Sequence, residues 1–103
     1  MTWELAFSKA AVKDVKNLSA AGLKLKAQAL LDVLRTNPWQ NPPAYEKLVG
    51  ELAGAYSRRI NRQHRLVYRV NEDGKQVDIL RMWTHYEQFQ PVAQQIRAQA
   101  AHN

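Results

Sequence analysis

The chain has 103 residues, 46% hydrophobic and 23% charged, a size and balance that suit one domain with a single core and exclude a multidomain assembly. Fifteen Lys and Arg against nine Asp and Glu leave a formal charge of +6, which favours a polyanion or an acidic protein as partner. Cysteine is absent, so disulfide staples, thiolate catalysis and cysteine-based zinc sites are excluded.

No apolar run approaches the roughly 18 to 20 residues of a membrane helix, and the N-terminus lacks a basic segment followed by an apolar one. The sequence therefore predicts a cytoplasmic chain that does not engage a membrane. Trp3, Leu5 and Phe7 alternate with polar or small neighbours, which predicts a short strand. Ser8 then suits the N-cap of a helix whose apolar residues Ala11, Val12, Val15 and Leu18 fall at helical spacing, with Lys9, Lys13, Asp14 and Lys16 assigned to the other side. Gly22 breaks this helix from a second one, in which Leu23, Ala27, Leu30, Leu31 and Leu34 form a stripe that ends at Thr36 before Asn37-Pro38. The pair is expected to form an antiparallel hairpin covering one face of a sheet.

From Asn37 to Tyr45 the three prolines and Trp39 mark an ordered loop. Beyond it, Tyr56 to Ile60, His64 to Val70 and Gln76 to Trp83 are rich in β-branched, aromatic and Leu residues and are separated by turn-like segments, so they are expected as antiparallel neighbours. Alternation in the second run sets His64, Leu66, Tyr68 and Val70 against Arg65, Val67 and Arg69, leaving an arginine-bearing face opposite the helices. A further helix is expected from Pro91, with Val92 and Ile96 on its apolar side.

Residues 52–71 carry Arg58, Arg59, Arg62, Arg65 and Arg69 together with Tyr56 and Tyr68, and no acidic residue. Guanidinium forks match phosphate and aromatic rings stack on bases, so an RNA-facing strand pair is one reading and a solvated sheet face is the other. Glu46, just past the proline loop, and His85-Tyr86, after the last strand, are both placed at the rim of this sheet. His64, His85 and His102 lack metal-ligand spacing, and the four glycines are dispersed rather than gathered in a phosphate loop. Neither a metal nor another cofactor is expected. A DNA-reading helix-turn-helix with a basic recognition helix is also missing from the pattern.

The run Tyr45-Glu46-Lys47-Leu48, then Leu52-Ala53-Gly54-Ala55-Tyr56-Ser57-Arg58-Arg59-Ile60, then His64-Arg65-Leu66-Val67-Tyr68, closing on His85-Tyr86, resembles the Txe/YoeB family of bacterial toxins within the RelE-like superfamily. The resemblance implies an α+β fold with two N-terminal helices packed on a twisted, mainly antiparallel sheet. It also implies a metal-independent endoribonuclease that cuts messenger RNA in the ribosomal A site and is silenced by a cognate acidic antitoxin. Carried over, Glu46 would be the general base, Arg65 the phosphate-stabilising arginine, His85 the general acid and Tyr86 an aromatic that orients the site. Arg59 would be a further phosphate contact, and Arg58, Arg62 and Arg69 complete the expected RNA-binding set.

Two departures from the family pattern stand out. Gln63 occupies a turn position where relatives often carry a carboxylate, and an amide cannot act as a base. Seventeen residues follow Tyr86, so residues 87–103 are expected as a helical extension of a single domain spanning 1–103. That extension could enlarge the core, contribute to a homodimer, lie near the cleft, or be a solvated terminal helix that touches nothing catalytic. A catalytically inactive module of the same fold, binding RNA or the antitoxin, is the alternative expectation.

Overall fold

The computed structural model describes residues 2–85; Tyr86 and the extension expected over 87–103 lie outside them. In chain order the elements are β1 (Glu4–Phe7), α1 (Lys9–Ala20), α2 (Lys24–Thr36), β2 (Tyr45–Lys47), a 3₁₀ turn (Gly50–Leu52), β3 (Ala55–Arg59), β4 (His64–Asn71) and β5 (Gln76–His85). The strands form one sheet in the order β1-β5-β4-β3-β2. β1 runs parallel to β5, whereas the β2–β3, β3–β4 and β4–β5 pairs are antiparallel. This is the expected α+β architecture of two helices on a mainly antiparallel sheet.

Ser8 caps α1 as its sequence position predicts. Its backbone is extended and its Oγ accepts the Ala11 N–H at 3.0 Å, an arrangement worth about 1 kcal/mol. The same hydroxyl donates to the Leu80 carbonyl at 2.7 Å, so the cap also fastens the helix to β5. At the other end Gly22 takes φ +74°, and the Leu23 and Gly22 N–H groups return to the Leu18 and Ser19 carbonyls. That pair of bonds is a Schellman closure, which needs the left-handed conformation glycine adopts without strain. α2 stops at Asn37 because the following Pro38 disfavours helical backbone in the residue before it.

The main core lies between the helices and one sheet face. Ala11, Leu18, Ala27, Leu30, Leu31 and Leu34 meet Ile60, Leu66, Tyr68, Val77, Ile79 and Met82, and each fully buried large aliphatic contributes about 1.5–3 kcal/mol. On the opposite face Leu48, Ala55 and Val67 form a smaller cluster flanked by Leu52 and Leu80.

Three expectations need correction. Asp14 is not on the solvent side of α1: it is 3% exposed, while Val12 is 55% exposed. The helical repeat explains this, since Asp14 stands three residues after Ala11 and four before Leu18, on the same stripe, and its charge is met from β5. Second, the 45–47 segment is an edge strand, too short and too poor in β-branched residues to be read as one. Third, the face opposite the helices is not simply open, because Leu48 and Leu52, around the 3₁₀ turn, pack with Val67 there and Arg65 is itself buried.

Candidate active site

Cross-strand register assembles the site on that second face. Glu46 on β2 pairs with Ser57 on β3, and Ser57 pairs with Val67 on β4, two residues from Arg65. Side chains two apart on a strand share a face, so Glu46, Ser57 and Arg65 converge. Arg65 Nη2 lies 3.5 Å from Glu46 Oε1, and Arg65 Nη1 donates to Ser57 Oγ at 3.0 Å. The arginine side chain is 3% exposed and the glutamate 38%, so the guanidinium forms a floor and the carboxylate stands over it at the rim. The Glu46 Oε2 atom is buried with no hydrogen-bond partner among the described residues. A desolvated acceptor of that kind is a candidate proton acceptor.

β5 closes the arrangement from the other side. Thr84 pairs with Arg65 and His85 pairs with His64, so the backbone brings His85 to the end of the sheet next to the Arg65 row. His64 itself is 5% exposed and stacks on Trp83 with ring centroids 3.8 Å apart. It is packed within the sheet rather than presented at the rim. Tyr86 lies outside the described residues.

The remaining arginines separate into distinct roles. Arg59 is exposed on β3, opposite Arg65. Arg62 is exposed in the β3–β4 turn, where Asn61 Oδ1 accepts the N–H groups of Gln63 and His64 at 2.9 and 2.8 Å, an Asx-type closure that turns Arg62 and Gln63 outward. Arg69 is half-buried and donates to the Ala53 carbonyl at 3.0 Å. It passes so close to Gly54, at φ +91°, that a Cβ there would meet its Nη1 at 3.0 Å.

Arg58 does not belong to the RNA-facing set expected of it. It alternates onto the helix-side face, is 0% exposed, and gives its donors to Tyr68 Oη (3.0 Å), the Pro43 carbonyl (2.6 Å) and the Pro38 carbonyl (2.8 Å). The Tyr45 ring packs over the guanidinium at 4.9 Å. Tyr68 also donates to the Pro38 carbonyl, at 3.1 Å, and burial pushes its phenol up to about 12 against the opposing pull of Arg58. This network clamps the proline loop to the sheet and so fixes the entry to β2, which carries Glu46. The sequence reading did not single out Ser57 as a site residue. Its signal was a small hydroxyl inside an otherwise bulky strand, which leaves room for a guanidinium from the next strand.

Among the described residues no group of three or more His, Cys, Asp or Glu side chains is arranged to hold a metal ion. Nor, among them, is any helix long and apolar enough to cross a membrane.

Residues 7–86 match the family described as YoeB-like toxin of bacterial type II toxin-antitoxin system. The chain belongs to that family. It is 40% identical over 57 residues to the toxin YoeB of Mycobacterium bovis, covering 55% of this chain and 65% of that protein, slightly under two thirds of its length. The YoeB/ParE toxin from Agrobacterium tumefaciens superposes with a TM-score of 0.72 at 28% identity, over 81% of this chain and 99% of that one. YoeB of Staphylococcus aureus, solved in a YoeB-YefM complex, gives a TM-score of 0.67 at 33% identity over 82% and 98% of the two chains. It has also been solved as a YoeB dimer, with a TM-score of 0.67 at 32% identity over the same shares. The YoeB family identity drawn from the Glu46-to-Tyr86 motifs is thus confirmed, and the shared fold covers nearly the whole of these solved relatives and 81–82% of this chain.

Proposed function

We propose that this YoeB-family toxin is a metal-independent endoribonuclease that cleaves messenger RNA on the ribosome. The observation that carries the reading is the Glu46–Arg65 contact at 3.5 Å: two charged side chains nineteen positions apart in sequence meet beside the exposed Arg59. In the proposed reaction the RNA 2′-hydroxyl attacks the adjacent phosphorus and Glu46 takes its proton. His85 delivers a proton to the departing 5′ oxygen, leaving a 2′,3′-cyclic phosphate and a 5′-hydroxyl. Negative charge gathering on the phosphoryl oxygens is met by Arg65, whose fork is held by Ser57 and therefore needs little reorganisation. Tyr86 orients the nucleotide, and Arg59 and Arg62 engage neighbouring phosphates. Arg69, held by the Ala53 carbonyl, extends the positive charge along β4.

The partner is a cognate antitoxin whose acidic segment complements the +6 chain and orders on binding. The YoeB-YefM complex of the Staphylococcus aureus relative supports that assignment, as its dimer supports a homodimer of this chain. With messenger RNA on ribosomes as its target, the toxin acts in the cytoplasm. Induced expression without antitoxin tests the reading: growth should arrest, and His85→Ala should relieve the arrest. Arrest that persists with His85→Ala contradicts the enzyme and favours an inactive module that binds RNA.

A further inference from the structure

We propose that Asp14 sets the register in which the end of β5 meets β4, and is thereby a positioning residue for His85; the link to His85 rests on the ribonuclease reading above. β4 and β5 do not pair evenly. From Tyr68↔Ile79 to Arg65↔Thr84, β5 advances five residues while β4 advances three, and the ladder shifts on both sides of Val67. Two extra residues are therefore accommodated between Ile79 and Thr84, and main-chain groups in such a bulge need partners outside the ladder.

The first turns of α1 supply them. The Ser8 N–H donates to the Ile79 carbonyl at 3.0 Å and Ser8 Oγ to the Leu80 carbonyl at 2.7 Å. Asp14 Oδ2 accepts the Met82 N–H at 2.9 Å and Arg81 Nε at 2.9 Å, while Oδ1 accepts Arg81 Nη2 at 3.3 Å. The carboxylate is almost fully buried, so these contacts are its replacement for water. One side chain thus fixes two consecutive residues of the irregular span.

The consequence at the site is geometric. Without the two extra residues, the pairing that begins at Tyr68↔Ile79 would continue to His64↔Trp83, and His85 would come opposite Arg62, past the end of β4. At about 3.3 Å per residue, that displaces His85 by roughly 7 Å along the strand. A shift of that size separates a proton donor from its oxygen. Asp14, on a helix remote from Glu46 in the sheet order, therefore decides whether the site closes.

The test is the β4–β5 main-chain register by nuclear Overhauser effects in wild type, Asp14→Leu and Asp14→Asn. We expect wild type to join His64 to His85, and Asp14→Leu to join His64 to Trp83 instead. Cleavage by Asp14→Leu should fall about 100-fold in kcat with KM changed less than about threefold. If Asp14→Leu does not fold, Asp14→Asn is decisive, because it removes the charge and sets an amide NH2 against Arg81 Nη2, donor facing donor, which weakens the hold on Arg81 and Met82 together. The Met82 amide should then exchange at least about tenfold faster than in wild type. Wild-type register with unchanged kcat in a folded Asp14→Leu, or wild-type protection of Met82 in Asp14→Asn, overturns the proposal. The register measurement needs no RNA, so a wild-type protein that cleaves nothing overturns only the ribonuclease reading.

Discussion

At Arg65 three statements meet: it is buried, it bonds Ser57, and it lies against the candidate base. A lysine there would keep the charge but lose the two-pronged donor geometry. Arg65→Lys is therefore expected to abolish cleavage while leaving RNA binding largely intact, which single-turnover assays beside filter binding would separate. Glu46→Ala should lose about 10²- to 10⁴-fold in cleavage, the range for removing a general base; activity close to wild type in the same assay would remove Glu46 from the mechanism. Arg58 and its neighbour Arg59 make a contrasting pair. Arg58→Met removes all three hydrogen bonds of a buried guanidinium and leaves the Pro43 carbonyl without its donor, while Tyr68 Oη keeps its bond to the Pro38 carbonyl, and should cost at least about 3 kcal/mol in urea unfolding. Arg59→Ala should leave the unfolding midpoint near wild type and weaken RNA binding. The sequence made adjacent arginines look equivalent, and only strand alternation with the proline loop in place distinguishes the clamp from the surface contact.

Elements explain what the sequence made legible and what it did not. Both helices were readable because their apolar stripes have the helical period and their ends carry Ser8, Gly22 and Asn37-Pro38. β2 was not readable as a strand, because three residues between prolines and a 3₁₀ turn take their extended form from pairing with β3. The placement of Asp14 failed for a related reason, since polarity suggested solvent while its partners lie on β5, 67 residues away. That clamp gives a pH signature. Burial pushes the Asp14 carboxyl up, but hydrogen bonds from Arg81 and the Met82 N–H with the Arg81 charge outweigh it, holding the group below its ordinary value. A depressed folded pKa gives stability that is complete above the unfolded value of about 4 and lost as pH falls through the folded one. The stability difference between wild type and Asp14→Asn should therefore be constant from neutral pH down to about pH 5. It should shrink as the pH drops further, read by urea unfolding at each pH.

For the whole molecule, the +6 charge and the run of residues 52–71 without acids supply the field, and the sheet decides which cations reach the surface. Arg59 and Arg62 are exposed, while Arg58 and Arg65 are internal. Removing one arginine–phosphate pair from a complex with single-stranded RNA should reduce the salt slope of binding by about 0.7. Arg59→Ala with Arg62→Ala should thus flatten log K against log salt by roughly 1.4, whereas Arg58→Met should not change the slope of its folded fraction. The family was legible from short motifs because Glu46, Arg58-Arg59, His64-Arg65 and His85 stand on β2, β3, β4 and β5, which are neighbours in the sheet. Their convergence was not legible, since it depends on register across four strands. The most direct measurement is primer-extension mapping of a defined messenger RNA on programmed ribosomes, with wild type and His85→Ala, beside a ribosome-free arm in EDTA. The account predicts A-site cleavage by wild type on ribosomes and none by His85→Ala. Ribosome binding by wild type with no cut in the message would contradict it.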